Sequence, residues 1–264
     1  MITRSWQRVR AALQNRQRTS GEPQSANGAS SFHLVWDIPP VPLREVSATV
    51  EVLVPPVTNR LYFWALQVSF ASERRLQGGA HIGIQWNRRY PGNTAVNWGG
   101  YGPADRGGAV LDGSDSPLSG VRGDRNTRTF PWKAGHPYRL TVAPAADGPG
   151  EATAWRGTIT DLDSGEEHLV RDLYAEGEYL MSPMVWSEVF ARCEQPSVTV
   201  RWSDLRAVGA HGEDLSPRRI RVNYQTRMDG GCDNTSVGVD ELGVLQTTAV
   251  RRRVPQGALL PVPD

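Results

Sequence analysis

Lysine is almost absent from this chain of 264 residues, in which Lys133 is the single lysine among 29 basic residues. Against them stand 28 acidic residues, so the formal net charge is only +1. The arginines are scattered and alternate with acids, which leaves no global field to attract a polyanion. The charge pattern therefore predicts neither nucleic acid nor an anionic membrane as a partner.

Long apolar runs are missing as well. No apolar stretch approaches the roughly 18 residues that a membrane span requires, which predicts a soluble protein. The basic stretch from Met1 to Ser20 contains no continuous apolar region of the kind found in secretory signals. We therefore predict residence in the cytoplasm.

Cysteine is scarce, since the chain contains only Cys193 and Cys232. These two residues can pair in an oxidising compartment, but the absence of an export signal predicts reduced thiols. Neither cysteine has a histidine at ligand spacing, and the five histidines are dispersed, so we predict no metal site and no cofactor.

Calcium is the one ion that the sequence allows, at a long loop between Gly99 and Thr129 that is rich in glycine and aspartate. Asp112, Asp115 and Asp124 lie in this loop, and flexible loops rich in oxygen ligands suit calcium. Their spacing is not that of an EF-hand, and the same residues are common turn formers. Both interpretations stay open at this stage.

Helical periodicity is confined to the N-terminus, where Trp6, Val9, Ala12 and Leu13 predict a short amphipathic helix. A stretch rich in Ser, Gly and Asn follows, and residues 1–31 are predicted as this helix plus a flexible linker. Residues 32–211 are predicted to form the main domain. Residues 212–264 contain too few apolar positions for an independent domain and are predicted as a C-terminal β extension packed on it.

The main domain consists of short runs rich in Val, Thr, Trp and Tyr, separated by Gly, Pro, Asn and Asp. This pattern predicts an all-β fold, a sandwich of two antiparallel sheets. The turn from Asp161 to Gly165 joins two alternating runs and predicts a hairpin. The predicted strands are Phe32–Trp36, Glu45–Val54, Leu61–Ala71, Gly79–Asn87, Thr94–Trp98, Tyr138–Pro144, Ala154–Asp161, Glu166–Leu173, Met184–Ala191, Ser197–Arg206, Ile220–Thr226, Val237–Val239 and Leu245–Arg252.

Alternation along two consecutive strands separates a core face from a polar face. The polar side carries Gln67 on the first strand, and His81 and Gln85 on the second. Amides and aromatic rings together are typical of sugar-binding surfaces, because rings stack on C–H faces and amides bind hydroxyls. The predicted ligand-binding residues are Gln67, His81, Gln85, Asn97, Trp98, Tyr101 and Trp186.

Glu188 is the candidate catalytic residue, because alternation places it between Trp186 and Phe190 on one strand face. Burial between rings would raise the pKa of the carboxyl and suit it to general acid or base catalysis. The alternative is a structural ion pair of Glu188 with Arg192 or Arg201.

Three functions are compatible with these residues. The first is a carbohydrate-binding or lectin-like module with a glycan as partner. The second is a polysaccharide-active glycoside hydrolase or lyase that uses Glu188, although no second carboxylate lies at the spacing that glycosidases need. The third is a structural or protein-interaction β-sandwich with an exposed aromatic patch.

Four segments carry a resemblance to a known family: Tyr62–Gln67, His81–Gln85, Val185–Glu188 and Val200–Asp204. They resemble an uncharacterised bacterial, chiefly actinobacterial, family with a concanavalin-like jelly roll. The resemblance covers residues 32–208 and implies the fold. It also implies that ligand groups lie on the concave sheet.

Overall fold

The computed structural model describes residues 17–73, 75–145, 149–150 and 152–263. The predicted N-terminal helix lies outside this range. The fifteen strands are β1 (Ser30–Trp36), β2 (Leu43–Val54), β3 (Tyr62–Ser72), β4 (Arg75–Trp86), β5 (Thr94–Tyr101), β6 (Thr127–Thr129), β7 (Pro137–Pro144), β8 (Thr153–Asp161), β9 (Glu167–Ala175), β10 (Tyr179–Val189), β11 (Thr199–Gly209), β12 (Arg219–Tyr224), β13 (Thr235–Val239), β14 (Val244–Thr248) and β15 (Leu259–Pro261).

All strand pairs are antiparallel, and they form two layers of a β-sandwich, as predicted. The first layer runs β15-β12-β1-β10-β3-β4-β5-β6, and the second runs β13-β14-β11-β2-β7-β8-β9. A single pair, Leu180 with Leu43, links the layers at a corner. The described residues contain two short 3-10 helices, Pro91–Asn93 and Ala104–Arg106, and no helix long and apolar enough to cross a membrane.

One continuous apolar core fills the space between the two layers. In β1 the alternation is regular: Phe32, Leu34 and Trp36 are buried in the core, while His33 and Val35 point away from it. The same period of two places Trp64 and Ile84 in the core. The side chains between these positions form the outer face of the first layer.

The turn from Asp161 to Gly165 is a hairpin, as the sequence predicts. Asp161 N donates to Glu166 O at 2.9 Å, and the Asp161 carboxylate accepts from the next backbone N–H groups. Gly165 has φ +76°, a backbone conformation that glycine adopts without strain. The hairpin joins β8 to β9.

The C-terminal residues take part in both layers. β12 pairs with β1 and extends the first layer, whereas β14 pairs with β11 and extends the second. The segment predicted as an extension therefore supplies strands to the sheets of the sandwich itself.

Cys193 and Cys232 form a disulfide with a Cα–Cα distance of 5.6 Å. The prediction of reduced thiols is wrong for this structure. The two residues are 39 positions apart and lie on loops that only the folded chain brings together. Disulfides persist in oxidising compartments, so this bond also argues against the predicted cytoplasmic location.

The predicted flexible linker is bound to the body of the protein over its described part, residues 17–29. Arg18 N donates to Asp233, and Gln24 N donates to Gly230 O at 2.9 Å. Cys193 N donates to Gly21 O at 2.9 Å. A composition typical of linkers thus forms an ordered strap, because its backbone groups find partners on distant loops.

Candidate functional site

The outer face of the first layer carries the polar residues that the sequence predicts as a site. The central cross-strand row runs through β1, β10, β3, β4 and β5, with the members His33, Trp186, Ala65, Gly83 and Asn97. The row on one side consists of Ser31, Glu188, Phe63, Gln85 and Ala95 on the same five strands. The row on the other side consists of Val35, Met184, Gln67, His81 and Gly99.

Trp186 occupies the middle of this face. Its ring meets the rings of Phe63 and His81 edge to face, with centroids 5.0 and 5.5 Å away. Its Nε1 donates to Gln67 Oε1 at 2.9 Å. The ring finds room because the next two positions of its row are Ala65 and Gly83.

Gly83 is required by the close approach of β3 and β4. A Cβ at this position would overlap the Trp64 carbonyl and would lie 2.7 Å from the Ala65 Cβ. Ala65 itself is fully buried. Small residues in the central row therefore leave space on the sheet for the Trp186 ring and its edge-to-face neighbours.

Glu188 is half-buried beside this cluster. Asn27 Nδ2 donates to Glu188 Oε1 at 2.8 Å. Burial raises the pKa of the carboxyl, and the Asn27 hydrogen bond partly offsets that rise. The carboxyl therefore binds its proton more tightly than an exposed glutamate does.

The predicted arginine partners of Glu188 are bound elsewhere. Arg192 pairs with Glu194 at 2.6 Å. Arg201 pairs with Glu51 at 2.6 Å and with Asp240 at 2.8 Å. Within the described residues we find no ion pair of Glu188, so a structural ion pair does not account for this carboxyl.

Two histidines flank Trp186, and both are held neutral. Burial lowers the pKa of His81 to about 4, with Asp124 opposing that shift. Burial also lowers the pKa of His33. At neutral pH these imidazoles are uncharged hydrogen-bonding groups and bring no positive charge to Glu188.

The two remaining amides of the face, Gln85 and Asn97, are well buried, with 5% and 4% of their surface exposed. Gln85 Oε1 accepts a hydrogen bond from Asn87 Nδ2 at 2.9 Å. Asn97 Nδ2 donates to Thr127 Oγ1 at 2.8 Å and to Asp124 Oδ2 at 3.2 Å. Gln85 lies in the same row as Glu188, two strands away.

Trp98 does not belong to this face. Its ring is fully buried in the core, and its Nε1 donates to Trp155 O at 3.2 Å. Consecutive strand residues point to opposite faces, so Asn97 and Trp98 cannot share one. Trp98 therefore offers no surface to a ligand in this structure.

Tyr101 lies at the rim of the face and is 54% exposed. It borders a groove of about 690 Å³ that begins at Gln67 and His81 and continues past Ser69 and Gly79. The groove extends the site along the direction of β3 and β4. A chain-like ligand bound there would reach the predicted site residues at one end.

The loop after β5 forms one wall of the site. Asp124 accepts from Thr127 Oγ1 at 2.6 Å, and Asn126 packs on Gly99, where a Cβ would lie 2.7 Å from its Nδ2. Asp112 pairs with Arg125 at 2.9 Å. In the described part of the chain, no group of three or more His, Cys, Asp or Glu residues is placed to hold a metal ion.

Two contributors to the site are absent from the sequence prediction. Asn27 reaches Glu188 from a segment predicted to be a linker. Arg171, 2% exposed, holds the loop by donating from Nη1 to Arg125 O at 3.1 Å and to Asn126 Oδ1 at 2.9 Å. Neither residue stands out in a chain rich in arginine and polar turns.

The carbohydrate-binding prediction depends on accessible rings, and the structure leaves few at this site. Trp98 is buried in the core, and Trp186 is only 5% exposed. Tyr101 is the predicted ring that remains open to solvent. Sugar binding stays a prediction, with a smaller aromatic surface than the composition suggests.

No family model matches this chain, and no curated protein matches it. Among solved structures, scytalido-glutamic peptidase with a peptide-based transition state analog is similar over 87% of this chain and 99% of that chain, at 11% identity and a TM-score of 0.43. SCP-B, a member of the Eqolisin family of peptidases in complex with the tripeptide Ala-Ile-His, shows the same coverage and identity with a TM-score of 0.44.

A third similar structure is the enzymatically active domain of bacteriophage CBA120 tailspike protein 2. It is similar over 75% of this chain and 24% of that chain, at 12% identity and a TM-score of 0.28. Similarity at these levels transfers no function to this chain.

Proposed function

We propose that the outer face of the first layer is the active site of a hydrolase in which Glu188 moves the proton. The observation that carries this proposal is a half-buried carboxyl with a raised pKa, bound by the Asn27 amide at 2.8 Å. A general acid–base works best when its pKa lies near the working pH. Burial among neutral groups adjusts Glu188 in that direction.

An acyl bond, meaning an amide or an ester, suits the site better than a glycosidic bond. Glycosidases use two carboxyl groups about 5–10 Å apart. Asp124 is bonded to Asn97 on β5, and β5 lies three strands from β10, which amounts to about 14 Å between the backbones of these two strands. Gln85 is closer, in the same row as Glu188 and about 10 Å away between backbones.

Gln85 supplies the second group that acyl hydrolysis needs, a donor for the developing oxyanion. Side-chain amides serve as such donors in preorganised sites. Asn87 donates to Gln85 Oε1 at 2.9 Å, and this bond leaves Nε2 as the side of the amide that can donate to a substrate. The carboxyl and the amide then lie on the same sheet face, with Phe63 between them in the row.

The reaction needs one water and no further co-reactant. The Glu188 carboxylate takes a proton from water as the water oxygen attacks the carbonyl carbon, and Gln85 Nε2 donates a hydrogen bond to the oxyanion. Collapse of the tetrahedral intermediate breaks the acyl bond, and protonated Glu188 gives its proton to the leaving group. The groove from His81 to Tyr101 would hold the substrate chain on one side of the scissile bond.

We also propose that the protein resides in an oxidising compartment. The Cys193–Cys232 disulfide joins the loop that follows the strand of Glu188 to a second loop, and such bonds are stable outside the reducing cytosol.

The test compares the protein with Glu188→Gln on labelled protein and peptide substrates, an aryl ester and a panel of polysaccharides. We expect acyl hydrolysis to fall by roughly 100-fold or more in the variant, since general acid–base groups contribute about 10²–10⁴. The kcat/KM of the unmodified protein should rise with pH through the raised pKa of Glu188, because the attacking step requires the carboxylate.

Glu178→Gln is the matched control, because Glu178 is exposed and lies just before the strand that carries Glu188. It should leave hydrolysis unchanged. Undiminished acyl hydrolysis by Glu188→Gln would overturn the proposal. Release of reducing sugars without acyl cleavage would instead favour the glycoside hydrolase alternative.

A further inference from the structure

A tight turn presents the Asn27 side chain to Glu188. Gly28 N donates to Ser25 O at 3.0 Å, and Ala29 N donates to Asn27 Oδ1 at 3.1 Å. With its oxygen held by the backbone, the amide can only offer Nδ2 outward, and Nδ2 donates to Glu188 Oε1. The orientation of this amide is therefore set before Glu188 takes part.

The strap that carries this turn, residues 17–29, is bound by two loops. The first loop follows β10: Gly21 N donates to Glu194 Oε2 at 2.7 Å, and Cys193 N donates to Gly21 O. The second loop precedes β13: Asp233 N donates to Arg18 O at 2.7 Å.

The disulfide joins these two loops to each other. Asn234, close to Cys232 in sequence, adds a bridge by donating from Nδ2 to Cys193 O at 2.7 Å and to Thr19 O at 3.3 Å. The strap is thus bound to two loops that the disulfide joins to each other. Asn27 lies at the end of the strap that reaches the active-site face.

Charged groups around Glu188 do not compete with Asn27. On the strap itself, Arg18 is bonded to Gln24 and Glu22 is paired with Arg60 at 2.7 Å. On β1 and β4 the titratable groups of the face are His33 and His81, whose pKa values burial lowers. The rest of its row consists of Ser31, Phe63, Gln85, Ala95 and Thr129, none of which is charged.

We infer that Asn27 is a positioning residue that aims the Glu188 carboxyl at the substrate, and that the Cys193–Cys232 disulfide keeps it in place. This inference rests on the proposed hydrolase function for its catalytic meaning. Its structural content is a hydrogen bond that favours the ionised carboxylate. Loss of that bond makes Glu188 harder to ionise, because burial is then less opposed.

The first test needs neither substrate nor a variant at Asn27. The Asn27 side-chain amide is followed by ¹⁵N NMR in the unmodified protein while the pH is varied, beside the ¹³C carboxyl signal of Glu188. We expect both signals to move with one common midpoint, and the Asn27 signal to stay still in Glu188→Gln. An Asn27 signal that does not shift as Glu188 ionises would overturn the inference.

The second test uses Asn27→Ala, with Gln24→Ala as matched control on the same strap. Asn27→Ala should move the carboxyl titration of Glu188, and the rising limb of kcat/KM, to higher pH. Below that limb kcat/KM should fall by roughly 10-fold, with a smaller change in KM. In Gln24→Ala the Glu188 carboxyl should titrate at the same pH as in the unmodified protein. The same result in Asn27→Ala would overturn the inference.

The disulfide is tested by the double variant Cys193→Ser with Cys232→Ser, at a temperature where circular dichroism shows it folded. The Glu188 titration should move in the same direction as in Asn27→Ala. An unchanged titration would show that the strap holds without the bond and would overturn this part of the inference. Because carboxyl titrations need no turnover, a failed hydrolase proposal with intact coupling is distinguishable from a failed inference.

Discussion

At the scale of single residues, burial on one sheet face moves two pKa values in opposite directions. Glu188 loses hydration of its carboxylate, so its pKa rises, whereas His81 loses hydration of its imidazolium, so its pKa falls to about 4. Each group is pushed toward its neutral form. The face therefore concentrates titratable groups without accumulating charge.

His81 makes the free energy of unfolding depend on pH in a known direction. Between pH 6.5 and about 4 the unfolded chain binds a proton that folded His81 refuses, so stability falls as the pH falls through this range. At the acid end of this pH range, burial of this kind lowers the free energy of unfolding by up to about 3 kcal/mol. Urea unfolding at several pH values should show that the free energy of unfolding declines less steeply with falling pH in His81→Gln than in the unmodified protein.

His211→Gln provides the control for this measurement, because His211 is exposed in a loop. The free energy of unfolding should decline less steeply with falling pH in His81→Gln than in His211→Gln. Equal declines in the two variants would show that burial does not hold His81 neutral.

Asn27 shows why sequence analysis misses part of the site at this scale. Its neighbours Ser25, Ala29 and Gly28 have a composition typical of a flexible linker. Its functional contact is with Glu188, 161 positions away. No local pattern predicts a hydrogen bond over that separation.

At the scale of elements, β5 and β8 show how two strands that face each other across the layers shape the core. Trp98 points inward from β5, and the position opposite it in the second layer is Gly157 on β8. A Cβ at Gly157 would lie 2.7 Å from ring carbons of Trp98. The indole fits because the facing strand has no side chain there.

Gly157→Ala should therefore lower the free energy of unfolding by about 1–3 kcal/mol, the range typical of overpacked cores. Gly238→Ala is the control, since a Cβ at Gly238 meets nothing closer than 3.8 Å. Urea titrations of the two variants, read by tryptophan fluorescence, make the comparison. Equal midpoints would contradict the close packing of Trp98 on Gly157.

Most strands could be predicted because their alternation is long and their turns contain Gly, Asp or Asn. β6 (Thr127–Thr129) and β15 (Leu259–Pro261) escape prediction, since three residues are too few to show a period of two. Alternation also suffices to place Gln67, His81 and Gln85 on the outer face. It likewise separates Asn97 from Trp98, because adjacent strand residues point to opposite faces.

At the scale of the whole molecule, the disulfide closes a segment of the chain that contributes to both layers. Cys193 follows β10 in the first layer, and Cys232 precedes β13 in the second. A bond across a separation of 39 residues restricts the unfolded chain more than it changes the folded one.

Reduction of this bond should lower the free energy of unfolding by about 4 kcal/mol on the chain-entropy model. Urea unfolding with and without dithiothreitol measures the difference. The double variant Cys193→Ser with Cys232→Ser should be insensitive to the reductant. Identical midpoints for the oxidised and reduced protein would show that the loops are held by other contacts.

The sequence by itself determined the β class, the positions of most strands, the Asp161–Gly165 hairpin and which residues of those strands share a face, because these depend on a local period of two and on turn chemistry. Only the tertiary structure decided which strands lie side by side, that Cys193 meets Cys232, and that Asn27 meets Glu188. Those outcomes depend on hydrogen bonds and packing between residues far apart in the chain. A local pattern carries no information about which distant partner satisfies a given group.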